Sequence, residues 1–173
     1  RLIEPLSPDS LRELLNNIHT TLDIISPDEA HLYGQILIAE DNKTNQKLAL
    51  NFIKKMGIQR KPDVAENGQV AVTYCVEGRE YDLILMDVQM PVMDGLKATE
   101  LLRKELKFNG VIVGLSANAF ESDAEKGKSV GMDYYLSKPI NSKKLNEIFV
   151  NLKYLFDRRS SIIFISPINT IER

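Results

Sequence analysis

From residue 35 onward, short apolar runs alternate with longer stretches whose apolar positions recur at helical spacing. Short apolar runs predict buried strands, and a spacing of three and four residues predicts helices that bury one face. The predicted strands are 36–39, 63–65, 83–86, 111–115 and 134–136, and a helix follows each of them. This strict alternation indicates a parallel sheet with helices on both faces, which is a doubly wound α/β fold.

Several predicted helices have recognisable ends and apolar faces. The first covers 43–56 and stops at Gly57, a residue that commonly terminates helices. Asp94 is a suitable N-cap for the third helix. That helix is expected to bury Leu96, Thr99, Leu102 and Leu106. The fourth, at about 121–130, has a weak and polar helical pattern.

The two ends of the chain do not fit this alternation. Residues 21–34 are a predicted linker and 157–173 a tail, which leaves 35–156 as the main domain. Residues 1–20 repeat the spacing of the last predicted helix. We interpret them either as the terminal helix of a preceding domain of the same kind or as an unrelated capped amphipathic helix.

Composition narrows the possible functions. The 173 residues are 43% hydrophobic and 27% charged with a formal net charge of −2, so no basic surface for nucleic acid is expected. Cys75 is the single cysteine, which excludes an intrachain disulfide, and no apolar run is long enough for a membrane span. We expect a cytoplasmic setting without membrane contact by this segment. The chain begins at Arg1, which fits a piece of a longer, even membrane-anchored, protein.

Charged and polar residues stand where the predicted strands end. Glu40 and Asp41 follow the first strand, Asp87 the third, Ser116 the fourth and Lys138 the fifth. Because parallel strands end at one edge of a sheet, we expect these side chains to meet there. Crowded carboxylates need protons or a cation to offset their charge, and oxygen ligands at an open site suit Mg²⁺.

This arrangement favours phosphoryl transfer. Asp87 is a candidate nucleophile, since carboxylates can accept a phosphoryl group covalently. Lys138 would hold the phosphoryl oxygens by charge and Ser116 by a hydrogen bond. Taken singly, Asp87 could be a helix cap and Lys138 a surface lysine, so the hypothesis depends on their combination.

Four segments resemble the receiver domains of two-component signalling. They are AEDN at 39–42, MDVQMPVMDG at 86–95, SANAF at 116–120 and GMDYYLSKPI at 131–140. Residues 35–156 thus resemble a receiver. The sequences of these motifs resemble those of receivers at the end of hybrid histidine kinases more than those of stand-alone regulators. The resemblance implies a flavodoxin-like (βα)5 fold with five strands in the order 2-1-3-4-5.

The resemblance also implies roles for single residues. The implied catalytic residues are the phosphoacceptor Asp87, with Lys138 and Ser116. The implied Mg²⁺ ligands are Glu40, Asp41, Asp87 and the backbone carbonyl of Gln89. Ser116 and Tyr135 would form a switch pair; the alternative for Tyr135 is that it simply packs on the sheet edge. Glu40 departs from chemotaxis-type members, which usually have Asp there. The Lys138–Pro139 bond is expected to be cis.

The implied partners are a histidine kinase domain and a histidine phosphotransfer protein. We expect the latter to dock on the first helix and the adjacent loops, with Asn45, Leu48 and Ala49 as contacts. The competing arrangement is dimerisation through the fourth helix and fifth strand. An alternative function is a stand-alone response regulator that acts by phosphorylation-dependent protein binding.

Other classes of protein fit less well. A phosphatase with an aspartyl intermediate would need a second acid at the position of Gln89, and a dinucleotide enzyme would need a GxGxxG turn, which the sequence lacks. A degenerate receiver would be expected to lack Asp87 or Lys138. His19 and His31 lack the flanking residues of phosphodonor histidines, so a donor role is not expected.

Overall fold

A computed structural model of the protein describes residues 34–58, 60–117 and 121–152. In this part of the chain five parallel strands form one sheet in the order β2-β1-β3-β4-β5. The strands are β1 (Ile36–Ala39), β2 (Asp63–Ala65), β3 (Leu83–Asp87), β4 (Val111–Ser116) and β5 (Tyr134–Ser137). The helices are α1 (Lys43–Lys55), α2 (Gly68–Val76), α3 (Gly95–Lys104), α4 (Glu121–Val130) and α5, which covers residues 142–152. The doubly wound fold and the expected strand order are confirmed.

The ends of the chain lie outside the described residues. The predicted linker and N-terminal helix fall within 1–33 and the tail within 153–173, so both remain predictions. His19 and His31 belong to the first of these segments. Among the described helices, none has the length and apolar character needed to cross a bilayer.

The central strands are buried on both faces, and their side chains alternate between two apolar layers. In β1, Ile36 and Ile38 pack in the layer that contains Phe149 of α5. Leu37, the residue between them, packs in the opposite layer with Leu102 of α3. This period of two follows from strand geometry. Because helices cover both faces, the ends of the strands are where polar side chains can converge.

Gly57 and Asp94 lie at helix ends as predicted, but α3 ends earlier than predicted. Gly57 has φ 83 after α1, and the Asp94 side chain accepts a hydrogen bond from the Lys97 N–H at 2.8 Å. The prediction that Leu106 lies on the buried face of this helix is wrong, because α3 ends at Lys104 and Leu106 is 37% exposed. The chain turns after α3, and Lys107, which follows Leu106, adopts a positive φ of 52.

Gly95 controls how closely α3 approaches the end of β3. Its N–H donates to the Val88 carbonyl at 2.9 Å. A Cβ at this position would overlap the carbonyl oxygen of Asp87 and lie 2.9 Å from Met86 Cγ. The start of α3 can therefore sit against the end of β3 only if residue 95 has no side chain.

We predict that Gly95→Ala destabilises the domain by about 1–3 kcal/mol, because the added methyl group must displace backbone. Gly78→Ala is the matched control: Gly78 has φ 86 and open space around it, so only the left-handed conformation opposes a side chain. Chemical denaturation of both variants measures the difference. A loss of less than about 1 kcal/mol for Gly95→Ala would contradict the proposed close approach.

Candidate functional site

The carboxyl edge of the sheet collects the acids that follow its central strands. Glu40 and Asp41 come after β1, and Asp87 is the last residue of β3. β3 and β4 pair in parallel, with Asp87 beside Leu115, so both strands end at this edge. Oxygen atoms of Glu40, Asp41 and Asp87 all lie within 4.8 Å of one another. The structure therefore brings the three predicted acids together.

Lys138 connects two of these acids. Its Nζ donates to Glu40 Oε2 at 2.6 Å and to Asp87 Oδ2 at 2.7 Å. Glu40 and Asp87 are only 2% and 3% exposed, while the lysine side chain is 19% exposed. Two buried carboxylates at this separation repel each other, and the ammonium group between them offsets the repulsion. The Lys138–Pro139 peptide bond is cis, as expected.

Burial and hydrogen bonding act in opposite directions on the pKa values of Asp87 and Lys138. Burial raises the pKa of Asp87, and the nearby charge of Glu40 adds to the effect, although hydrogen bonds from Lys138 and Gln89 oppose it. Burial by itself would lower the pKa of Lys138, but its hydrogen bonds to Asp87 and Glu40 outweigh burial and raise that pKa. An ion pair alone would lower the pKa of Asp87, so the raised value reflects the cost of burying its charge.

The loop after β3 holds the remaining oxygen of Asp87. The Gln89 N–H donates to Asp87 Oδ1 at 3.0 Å, and the Val88 N–H donates to the Leu115 carbonyl at 2.8 Å. One oxygen of Asp87 is thus held by the backbone and the other by Lys138, which fixes the plane of the carboxylate. The role of the Gln89 carbonyl as a metal ligand stays a prediction.

Amide groups at the start of α1 surround Glu40, and the sequence interpretation did not anticipate them. The Asn42 N–H and Asn45 Nδ2 donate to Glu40 Oε1 at 3.1 and 3.2 Å. Gln46 Nε2 donates to the Glu40 carbonyl at 2.6 Å, and Gln46 is only 7% exposed. Buried polar side chains need partners, so a glutamine at a core-facing position beside the acids was the signal that could have revealed these contacts.

The predicted switch pair lies on the β4 and β5 side of the site. Ser116 is 4% exposed at the end of β4, and Tyr135 is half-buried in β5. Ser116, Tyr135 and Asp41 line one crevice. The Tyr135 ring packs beside two glycines, since a Cβ on Gly114 or Gly127 would lie 2.9 or 2.8 Å from it. The aromatic ring thus occupies space that side chains at those positions would fill.

The three predicted partner contacts differ in how exposed their side chains are. Leu48 is half-buried on α1. Asn45 is also half-buried, with its amide turned toward Glu40. Ala49 is 1% exposed and belongs to the core layer that contains Ile53, so we withdraw it as a contact. The reason is helical geometry, because adjacent residues on a helix point about 100° apart and Ala49 turns inward.

The donor set fits a hard divalent cation. Glu40, Asp41 and Asp87 offer carboxylate oxygens, and Asp41 is exposed, which leaves one side open to water. Mg²⁺ prefers one or two carboxylates together with water and phosphate oxygens. No sulfur or imidazole belongs to this group of residues, so softer metals gain no preferred ligand there.

Residues 36–150 match the family model for the response regulator receiver domain. The chain belongs to this family. The receiver is 43% identical over 116 residues to hybrid signal transduction histidine kinase G of Dictyostelium discoideum, a match that covers 66% of this chain and 3% of that protein. It spans only 3–15% of the length of the curated relatives it matches.

Two solved receiver structures are also similar. One is the receiver domain of sensor histidine kinase PA1611 from Pseudomonas aeruginosa, with a magnesium ion in its active-site cleft: TM-score 0.58, 36% identity, covering 66% of this chain and 92% of that one. The other is the Ssk1 receiver of Saccharomyces cerevisiae, crystallised with the phosphotransfer protein Ypd1: TM-score 0.58, 34% identity, covering 64% and 82%. Both structures share the receiver fold, and about a third of the aligned residues are identical to those of this chain.

We predict that Asp87→Asn raises the melting temperature of the receiver by a few degrees. The amide removes a buried charge and its repulsion with Glu40, and Lys138 keeps its contact with Glu40. Calorimetry checks this, with Asp41→Asn at the exposed acid as the control that should change the melting temperature less. A lower melting temperature for Asp87→Asn would mean that its ion pair with Lys138 outweighs the cost of burial.

Proposed function

We propose that this receiver accepts a phosphoryl group from a phosphohistidine onto Asp87 and passes it on within a phosphorelay. The observation that carries the proposal is the placement of Asp87: a buried carboxylate, 2.7 Å from Lys138, within a cluster of three acids at the open edge of the sheet. A buried acid with a raised pKa needs a reason to be retained there, and nucleophilic chemistry supplies one.

In the proposed reaction, an Asp87 oxygen attacks the phosphorus atom of the donor. An O–P bond forms, the P–N bond of the phosphohistidine breaks, and the imidazole keeps the electron pair and takes a proton from solvent. Gln89 and Lys138 each hold one oxygen of Asp87 before the donor arrives, so little reorientation is needed. Bound Mg²⁺ would neutralise charge on the phosphoryl oxygens.

Glu40 and Asp41 are the proposed anchors for Mg²⁺, with Asp87 and the Gln89 carbonyl completing the ligands. Lys138 would pair with a phosphoryl oxygen, since its ammonium already lies within hydrogen-bond distance of the acceptor. We propose that the Ser116 hydroxyl, which lines the same crevice as Asp41, donates to another oxygen, with Tyr135 responding to that contact. These roles explain why the charged groups at this edge are so tightly linked.

The proposed partners are the histidine kinase domain of a longer hybrid kinase and a histidine phosphotransfer protein. Support comes from relatives such as hybrid signal transduction histidine kinase G, and from a similar receiver that was crystallised with a phosphotransfer protein. A cytoplasmic location of the receiver is part of this proposal. A stand-alone response regulator would use the same chemistry but a different output.

The proposed docking surface comprises Leu48 of α1 and the loop between β3 and α3. A donor imidazole must reach Asp87, so its protein must cover the edge of the pocket. In that loop Val92 is 83% exposed and has φ 69, an unusual conformation for a β-branched residue. Val92 follows Pro91, which lines the crevice, and an exposed apolar side chain there suits a modest, transient interface.

We predict that incubation with acetyl phosphate and Mg²⁺ increases the intact mass by one phosphoryl group. Chelation of Mg²⁺ and the variant Asp87→Asn should each abolish the increase, because the first removes charge neutralisation and the second removes the nucleophile. Intact-mass spectrometry reads both. Undiminished phosphorylation of Asp87→Asn, or indifference to the chelator, would reject the assignment.

We also predict that a phosphotransfer protein shifts the amide NMR signals of Lys43–Lys55 and of the loop around Val92. Val92→Asp should weaken binding by about tenfold, as expected for loss of a central apolar contact. Val76→Asp is the matched control, because Val76 is 63% exposed at the far end of α2. Shifts confined to 121–137 would instead favour the surface of α4 and β5.

A further inference from the structure

The Glu40 carboxylate has a donor on each oxygen, and the donors come from different sides. Oε2 accepts from Lys138 at 2.6 Å. Oε1 accepts from the Asn42 N–H at 3.1 Å and from Asn45 Nδ2 at 3.2 Å. Since Glu40 is 2% exposed, its orientation is decided by these groups rather than by water. One oxygen is thus directed to the lysine and the other to the start of α1.

Asn45 is itself held in place by the cap of α1. The Asn42 side chain accepts from the Thr44 N–H at 2.9 Å and the Asn45 N–H at 3.2 Å. Gln46 binds the Glu40 carbonyl, which joins the helix to the backbone of the acidic loop. The Asn45 amide therefore reaches Glu40 from a fixed helical turn. The backbone of Asn45 needs no rearrangement to make the contact.

The contact also depends on the length of the side chain at position 40. Glu40 has one methylene group more than aspartate, and its Oε1 lies at the outer limit of a good hydrogen bond from Asn45. A carboxylate one carbon shorter on the same backbone would be withdrawn from Asn45. Glutamate at position 40 and asparagine at position 45 are thus suited to each other.

We propose that Asn45 is a positioning residue for the metal and phosphoryl site, acting through Glu40. Together with the Asn42 N–H it holds Oε1, which directs Oε2 toward Lys138 and Asp87, where a divalent cation is expected to bind. The inference rests on the proposed function only in taking Mg²⁺ as the ligand of the acidic cluster. It assigns the inward amide of Asn45 to the site rather than to the partner surface. Partners that orient metal ligands commonly change metal affinity by 10–100-fold when removed.

The test measures Mg²⁺ affinity of the full chain by isothermal titration calorimetry, which requires no phosphorylation. Asn45→Ala should weaken Mg²⁺ binding by about tenfold. Asn45→Leu, which keeps the size of the side chain but lacks its donor, should do the same. Asn51→Ala on an exposed position of the same helix is the control and should leave the affinity unchanged. Melting temperatures show that each variant folds.

A double-mutant cycle separates positioning from a general structural role. In the Glu40→Asp background, Asn45→Ala should change Mg²⁺ affinity less than about twofold, because the shorter acid no longer reaches Asn45. A tenfold loss in both backgrounds, or no loss with Glu40 present, would overturn the proposal. Absence of Mg²⁺ binding by the parent chain would overturn it together with the proposed metal site, whereas normal Mg²⁺ binding without phosphorylation would count against the proposed function alone.

Discussion

The site depends on the two ion pairs that the ammonium group of Lys138 makes with Glu40 and Asp87. Without this ammonium group, two nearly buried carboxylates would face each other at the edge of an apolar sheet. The three residues come from the ends of β1, β3 and β5. Because β4 lies between β3 and β5, the lysine must reach across the end of β4. These contacts therefore form only when β1, β3, β4 and β5 are all in place.

The rest of the fold supplies a rigid frame for that interaction. β1 and β3 are adjacent and buried at every position, so the backbones that carry the acids have little freedom. Backbone groups then orient the side chains: the Gln89 N–H binds Asp87, and the Asn42 N–H binds Glu40. Such preorganisation lets a charged site form without a large reorganisation when a ligand arrives.

The helices that cover the sheet do not all pack against it equally well. Gly127 is the one residue of α4 that is buried, whereas α1 and α3 each bury several. Few buried apolar contacts mean a lower local free energy of opening. Tyr135 lies on this less firmly packed side, against Gly114 and Gly127. The acids are thus held by the tightly packed centre of the sheet, and the aromatic ring by its more adaptable edge.

The sequence by itself determined the order of strands and helices, the edge at which the acids meet, and the residues Asp87 and Lys138 that face each other there. Period-two and helical patterns report burial directly, and the carboxyl ends of parallel strands lie at one edge, so these features follow from the sequence pattern. Leu106 and Ala49 were misplaced because small rotations of a helix, or an early end, decide which side chain is buried. Only the tertiary structure decided that Lys138 contacts Glu40 as well as Asp87 and that Asn45 turns inward. Those contacts join residues distant in the chain or depend on ångström-scale reach, and local sequence patterns do not encode such distances.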